Sequence, residues 1–418
     1  MMRMSEALGK PWRWIRPVAR RFVEKYGDRA RPRLREVERF LLNDPSFLRA
    51  VAKHASKLQL VGQAIAAPRM RPVAAAKNWK VPEILTEHDL AAWLRVRENE
   101  LEWFADLKRL GAKRADAGLQ HYNYRVLAKP DGAVRLIEAP KGRLKVMQRT
   151  ILAQMLERIP AHPAVHGFVT GRSIKTFAKP HVGKRVLLCM DLKDFFPTLS
   201  RAQIQSFFRT AGYPERVADL LGGICTNSAP RSVWTPVDSN SAPFAVFYAH
   251  QLYGKPHVPQ GAPTSPALAN LCMYRADCRL SGLAYAAGAT YTRYADDLAF
   301  SGDEQFEKGV DRFAAHVAAI LREEGFRVNF RKTRVMRRGV RQHLAGVVTN
   351  EHVNVVRRDF DRLKATLTNC VRHGPQTQNR NGHPAFRSQL EGRIAFVEMI
   401  NPQKGERLRK IFEKIQWE

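Results

Sequence analysis

The sequence predicts an α+β protein, on three observations. Long stretches repeat their apolar residues at the helical period of 3.6, short β-rich runs interrupt them, and several of those runs are paired across tight turns. With 418 residues and 44% apolar content, the chain can bury more than one core. Its 70 Lys and Arg against 39 Asp and Glu leave a formal charge of +31. That surplus calls for a polyanionic partner, with nucleic acid the leading candidate. No apolar run approaches the roughly 20 residues of a spanning helix, so no membrane partner is expected, and no secretory leader is read. The five cysteines, Cys189, Cys225, Cys272, Cys278 and Cys370, form no C-x-x-C pair. Neither a disulfide framework nor a zinc knuckle is expected, and the setting is read as reducing and cytoplasmic.

Residues 1–80 read as a basic helical N-terminal extension. One helix covers Leu34, Val37, Phe40 and Leu41, and another runs from Asn43-Asp-Pro45 through Phe47, Val51, Ala55, Leu58 and Ile65. Arg13, Arg16, Arg20, Arg21, Lys25, Arg29, Arg31, Arg33 and Arg35 give it a dense positive face, either solvated or RNA-contacting. Pro68 to Lys80 is a link without periodicity. Thr86-Glu-His-Asp89 reads as a capping box opening a helical stretch to Leu107.

Strands follow at Tyr122 to Lys129 and Ala133 to Glu138, joined by Pro130-Asp-Gly132, a hairpin signal. A helix runs through Met147, Ile151 and Leu156. Arg185 to Asp191 reads as a buried strand ending in an acid, and Ser200-x-x-Gln203 caps the next helix before another over Pro214 to Ile224. Residues 226–257 read as an irregular insertion or long loop. An apolar helix is expected over Ala267 to Leu280, and an amphipathic one carries Phe306, Val310, Phe313, Val317, Ile320 and Leu321 up to Gly325. Phe326 to Phe330 reads as a strand, His343 to Val348 with Val353 to Val356 as a further hairpin, and the basic remainder as helical.

Between those two helices lies Tyr291-Thr-Arg-Tyr-Ala-Asp-Asp-Leu-Ala-Phe-Ser-Gly302, a strand, a tight turn carrying Asp296 and Asp297, and a second strand. Adjacent carboxylates repel one another and gain nothing by burial, so a divalent cation is the expected partner. Taken in order with Asp191 and Pro259-Gln-Gly261, this hairpin resembles the reverse transcriptases. Ala139-Pro-Lys-Gly-Arg-Leu-Lys145 with Gln148, His166-Gly-Phe168 with Gly171-Arg-Ser173, Gln260 to Asn270 and Tyr294-Ala-Asp-Asp-Leu298 resemble the bacterial retron type, over residues 86 to 418.

The resemblance implies a right-hand polymerase, with fingers and palm over 81–348, the palm an antiparallel sheet with helices, and a helical thumb over 349–418. It implies RNA-directed DNA synthesis with two Mg²⁺ ions at Asp191, Asp296 and Asp297, about 4 Å apart. It assigns Lys129 and Arg135 to the triphosphate of the incoming dNTP, Gln260 to the nucleotide and template, and Lys332 to protonation of the departing pyrophosphate. Phe196 is placed against the sugar, where an aromatic ring excludes a 2′ hydroxyl.

Retron enzymes copy part of a structured noncoding RNA, prime from a guanosine 2′ hydroxyl within it and leave a branched RNA–DNA hybrid. They act in antiphage defence, usually with an effector protein, and removal of the RNA is expected to fall to a cellular RNase H. Two stretches depart from the pattern: Phe177-Ala-Lys-Pro-His181 stands where Asn-Ala-x-x-His is common, and Leu344-Ala-Gly346 where Val-Thr-Gly is common. The alternatives are another defence- or intron-related reverse transcriptase and a catalytically silent RNA-binding scaffold.

Overall fold

The computed structural model describes residues 5, 8, 12–26, 34–58, 68–114, 117–129, 132–234 and 243–417. Helices and antiparallel sheets are mixed along the chain, an α+β architecture. It divides into two compact units, Met1–Pro160 with Phe196–Leu268 and Ala161–Phe195 with Ala269–Glu418.

In the first unit, helices Ile15–Tyr26, Leu34–Leu42 and Pro45–His54 occupy the basic segment. Asp44 caps the third of these by accepting from the Phe47 amide, and the Arg21 fork reaches the same carboxylate at 2.8 and 2.9 Å. Arg21 is thus a structural partner, whereas Arg29, Arg31, Arg33 and Ile65 lie outside the described residues. The expected helical stretch after Thr86 is two helices, Glu87–Leu94 and Glu98–Ala105. Arg95 turns left-handed at φ 56° and ends the first, and Glu100 accepts from the Arg97 amide at the start of the second.

Strands β1 (Tyr122–Ala128) and β2 (Val134–Pro140) pair antiparallel, with Ala128 opposite Val134. Of the turn between them, Pro130 and Asp131 lie outside the described residues; Gly132 has φ 78° and its amide donates to the Lys129 carbonyl. Alternation along β2 buries Val134, Leu136, Glu138 and Pro140. The segment expected to be irregular differs. Residues 235–242 lie outside the described residues, but Pro243–Tyr253 is a helix whose Ala249 and Tyr253 join Val134, Leu136 and Trp234 in one apolar cluster. Proline at its first position and an unbroken Phe-Ala-Val-Phe-Tyr-Ala run favour that helix, and burial against β2 stabilises it.

The second unit is built on a sheet ordered β4-β5-β3-β6, all antiparallel: β3 Val186–Asp191, β4 Thr290–Tyr294, β5 Asp297–Gly302 and β6 Arg334–Arg337. The central strand β3 is covered on both faces. Leu187 belongs to a core with Phe177, Ala299, Met336, Leu363 and Leu390, and helix Glu304–Glu323 packs on β3 and β5 with Phe306, Val310, Phe313, Val317 and Leu321 buried. Those are five of the six positions the helical period selects, and the sixth, Ile320, is half-buried. The expected apolar helix is two, Ser265–Cys272 and Tyr274–Ala286, with helical hydrogen bonds continuing through Met273.

Phe326 to Phe330 is not a strand. It contributes one bridge, Val328 to Leu192, and then turns, and β6 takes the edge position beside β3. That basic stretch pairs with β3 from Val186 opposite Arg337 to Cys189 opposite Arg334. A small sheet follows, with β7 His343–Leu344, β8 Val347–Val348 and β9 Asn354–Val355, its first turn made by Ala345 and Gly346 at φ 43° and 86°. Helices Arg357–His373, Phe386–Ile400 and Pro402–Phe412 complete the unit. Among the described residues no helix is long and apolar enough to cross a membrane.

Candidate active site

The site grows out of register. Antiparallel pairing of β3 with β5 sets Asp191 directly opposite Asp297, and β4 reaches β5 through a two-residue turn of Ala295 and Asp296. Three carboxylates on consecutive strand ends therefore share one edge of the sheet. Ala295 carries the strain of that turn in a left-handed conformation, φ 55°, at about 1–2 kcal/mol for a residue with a Cβ.

Asp191 is 7% exposed and both its oxygens are engaged. Oδ2 accepts from the Lys332 ammonium at 2.9 Å and Oδ1 from Asn329 Nδ2 at 3.1 Å, and the Asn329 amide donates to the Asp191 carbonyl at 2.7 Å. The Asp297 carboxyl is pushed up to about 6 by burial and then by the charges of Asp296 and Asp191, with Lys332 opposing. Burial lowers the Lys332 ammonium, but its hydrogen bond to Asp191 and the charges of all three acids outweigh that and raise it. The acids, Lys332, Arg334 and His343 line a cleft of about 300 Å³.

These carboxylates supply the hard oxygen donors that Mg²⁺ prefers, and a divalent cation relieves their mutual repulsion, which adds to burial in raising Asp297. The donor chemistry fits that ion. Among the described residues no three His, Cys, Asp or Glu side chains converge as a ready-made cage. A site of this kind leaves room for water and substrate phosphate in the shell.

The other residues singled out in the sequence lie in the first unit. Lys129 follows β1 and its amide donates to the Ala133 carbonyl at 2.7 Å; Arg135, on β2, is exposed and pairs across the ladder with Leu127. Gln260 is half-buried, and its carbonyl accepts from the Glu138 amide at 2.9 Å, which brings the Pro-Gln-Gly loop to β2. Gly261 has φ 129°, and a Cβ there would stand 3.0 Å from the Glu138 carbonyl oxygen, so close approach requires glycine. Phe196 is half-buried, next to the buried Phe195.

The motif ending at His181 has an internal role. His181 is wholly buried, with its two ring nitrogens 2.6 Å from Ser301 Oγ and 2.7 Å from Thr292 Oγ1. It clamps β4 to β5, and burial followed by the charges of His166 and Lys184 pushes its imidazole down to about 3. Sequence reasoning also missed Asn329 as a partner of Asp191. The signal was its place in Asn329-Phe-Arg-Lys-Thr333, where only the cations drew notice.

Comparison with known proteins shows the family. The family model described as reverse transcriptase (RNA-dependent DNA polymerase) matches residues 127–360. The retron Mx65 reverse transcriptase of Myxococcus xanthus is 41% identical over 333 residues, which cover 80% of this chain and 72% of that protein. The retron Mx162 reverse transcriptase of the same organism is 37% identical, over 77% of this chain and 66% of that protein. The retron Ec86 reverse transcriptase of Escherichia coli is 30% identical, over 70% and 80%. The chain therefore belongs to the retron-type reverse transcriptases, and its activity is RNA-directed DNA polymerisation.

Proposed function

We propose that the protein copies part of a cognate structured noncoding RNA into DNA, primes from a guanosine 2′ hydroxyl of that RNA and leaves a branched RNA–DNA hybrid (msDNA) in a retron that defends against phage. The observation that carries the catalytic part is the direct pairing of Asp191 with Asp297, with Asp296 in the adjoining turn. The charge of +31 supports RNA binding. On this reading residues 1–80 are a basic helical extension, 81–348 the fingers and palm, including 226–257, and 349–418 the thumb. RNA template, DNA product, dNTPs, an effector protein and a cellular RNase H are the partners, and the setting is cytoplasmic.

Asp191 and Asp296 would hold two Mg²⁺ ions, with Asp297 supporting the primer end. When bound, the ions stabilise the attacking 3′ oxygen and the leaving pyrophosphate. The protein's own groups do the rest. Lys332 orients Asp191 through the 2.9 Å bond to Oδ2, and its ammonium, raised by that bond and the charges of the three acids, is the proton source for the departing pyrophosphate. Lys129 and Arg135 grip the triphosphate, Gln260 lies against nucleotide and template, and the Phe196 ring excludes a 2′ hydroxyl.

Sequencing the nucleic acid that copurifies with the protein tests the retron assignment. A branched RNA–DNA molecule is the expected result. Linear, unrelated RNA with no attached DNA contradicts it.

A further inference from the structure

Among the described residues, Arg293 is the largest side chain wholly removed from solvent, at 0% exposure, and it lies in β4 just before the Ala295–Asp296 turn. Its Nε donates to Asp277 Oδ1 at 2.8 Å and its Nη2 to Oδ2 at 2.7 Å, a two-pronged pair with an equally buried acid. The remaining nitrogen, Nη1, donates to Asn270 Oδ1 at 3.0 Å and to the Ala295 carbonyl at 2.9 Å. Asn270 Nδ2 in turn donates to the Gly167 carbonyl at 2.9 Å. Gly167 presses on the same turn, so that a Cβ there would stand 2.6 Å from the Ala295 nitrogen.

A buried ion pair is a weak way to stabilise a fold, because apolar residues of similar volume do as well. What apolar residues do not do is hold a carbonyl. The Ala295 carbonyl belongs to the peptide plane that leads into Asp296, and Ala295 occupies a conformation a side chain rarely adopts unless its surroundings enforce it.

We propose that Arg293, braced by Asp277 and Asn270, is a positioning residue that fixes the Ala295–Asp296 peptide plane and so the aim of Asp296 and Asp297. The proposal rests on the reading of Asp296, with Asp191, as a metal-holding acid and of Asp297 as its neighbour at the primer end. It assigns the buried pair to geometry of the turn, a role distinct from stability.

The test compares full-length variants for melting temperature, Mn²⁺ affinity by electron paramagnetic resonance, and kcat and dNTP KM on a primed RNA. In the double variant Arg293→Met with Asp277→Leu, the apolar pair keeps the core filled. We expect a folded protein with kcat down about 10- to 100-fold, KM within about twofold of wild type, and weakened Mn²⁺ binding. Arg293→Lys is the second variant; a point charge pairs with Asp277 but lacks the fork that also reaches Ala295, and the same losses are expected.

Tyr291→Phe removes a 2.8 Å bond to Asp277 Oδ1 and none to the turn, so it lowers the melting temperature with kcat and Mn²⁺ affinity unchanged. Wild-type kcat and Mn²⁺ affinity in either Arg293 variant, beside an inactive Asp296→Asn protein, overturns the proposal and leaves the metal reading standing. An active Asp296→Asn protein overturns both.

Discussion

Replacing Glu138 by Ala tests how the Pro-Gln-Gly loop is held. Alternation along β2 turns Glu138 into the core, where it is 0% exposed, and a buried carboxylate there needs partners. Oε2 lies 2.8 Å from His257 Nε2 and Oε1 accepts from Asn227 Nδ2 at 2.8 Å, so the acid ties β2 to the segment that leads into Gln260. Truncation strands His257 and Asn227. Breaking such a buried pair costs about 3–5 kcal/mol, or a melting temperature lower by roughly 6–20 °C for a unit of this size.

The pair also sets a pH dependence. Burial lowers the His257 imidazole, but the charge and hydrogen bond of Glu138, with the Lys255 carbonyl, raise it above 6.5 overall. Its stabilising contribution is therefore complete below about pH 6.5 and is lost as pH rises through the folded-state value. Urea midpoints from pH 5.5 to 9 on wild type and Glu138→Gln are the assay. Wild type loses stability across that window, and the Gln variant, without the charge that raises His257, does not. Parallel pH profiles, or an Ala variant melting within 2 °C of wild type, would refute the argument.

Further outcomes follow from the same geometry. Phe196→Ala relaxes sugar discrimination, raising ribonucleotide use about 10- to 200-fold relative to deoxynucleotides; primer extension with each pool reads it, and unchanged selectivity removes Phe196 from that role. Gly167→Ala drives a methyl into the Ala295 backbone, so synthesis falls about 10- to 100-fold while overpacking costs about 1–3 kcal/mol; single-turnover rates with a melting curve check both. Affinity for the cognate RNA falls about 10³- to 10⁵-fold between 50 and 200 mM salt if 6–10 phosphates are contacted. Filter binding across salt measures the slope, and a flat one contradicts the electrostatic account.

The parts of the protein legible in the sequence are those where one local rule decides. The period of 3.6 picked out the buried face of helix Glu304–Glu323, with Ile320 at its half-buried margin. Capping chemistry located the starts of the helices after Asp44, Thr86 and Ser200. The hairpin at Asp296–Asp297 was marked by its own strand–turn–strand pattern.

What was not legible depended on long-range partners. Phe326 to Phe330 has strand composition but forms a single bridge, Val328 to Leu192, whereas the charged Arg334–Arg337 pairs along β3 and takes the edge. The helix Pro243–Tyr253 is apolar nearly all round and shows little periodicity; its contact with β2 selects it. A charge in mid-strand at Arg293 was the visible trace of a buried network, but Asp277 and Asn270, which complete it, lie on helices elsewhere in the sequence.

The most direct test of the catalytic account is DNA synthesis by the Asp296→Asn, Asp297→Asn double variant on a primed RNA with Mg²⁺ and dNTPs, beside a melting curve. The account predicts a folded protein with no detectable extension. Extension at the wild-type rate would contradict it.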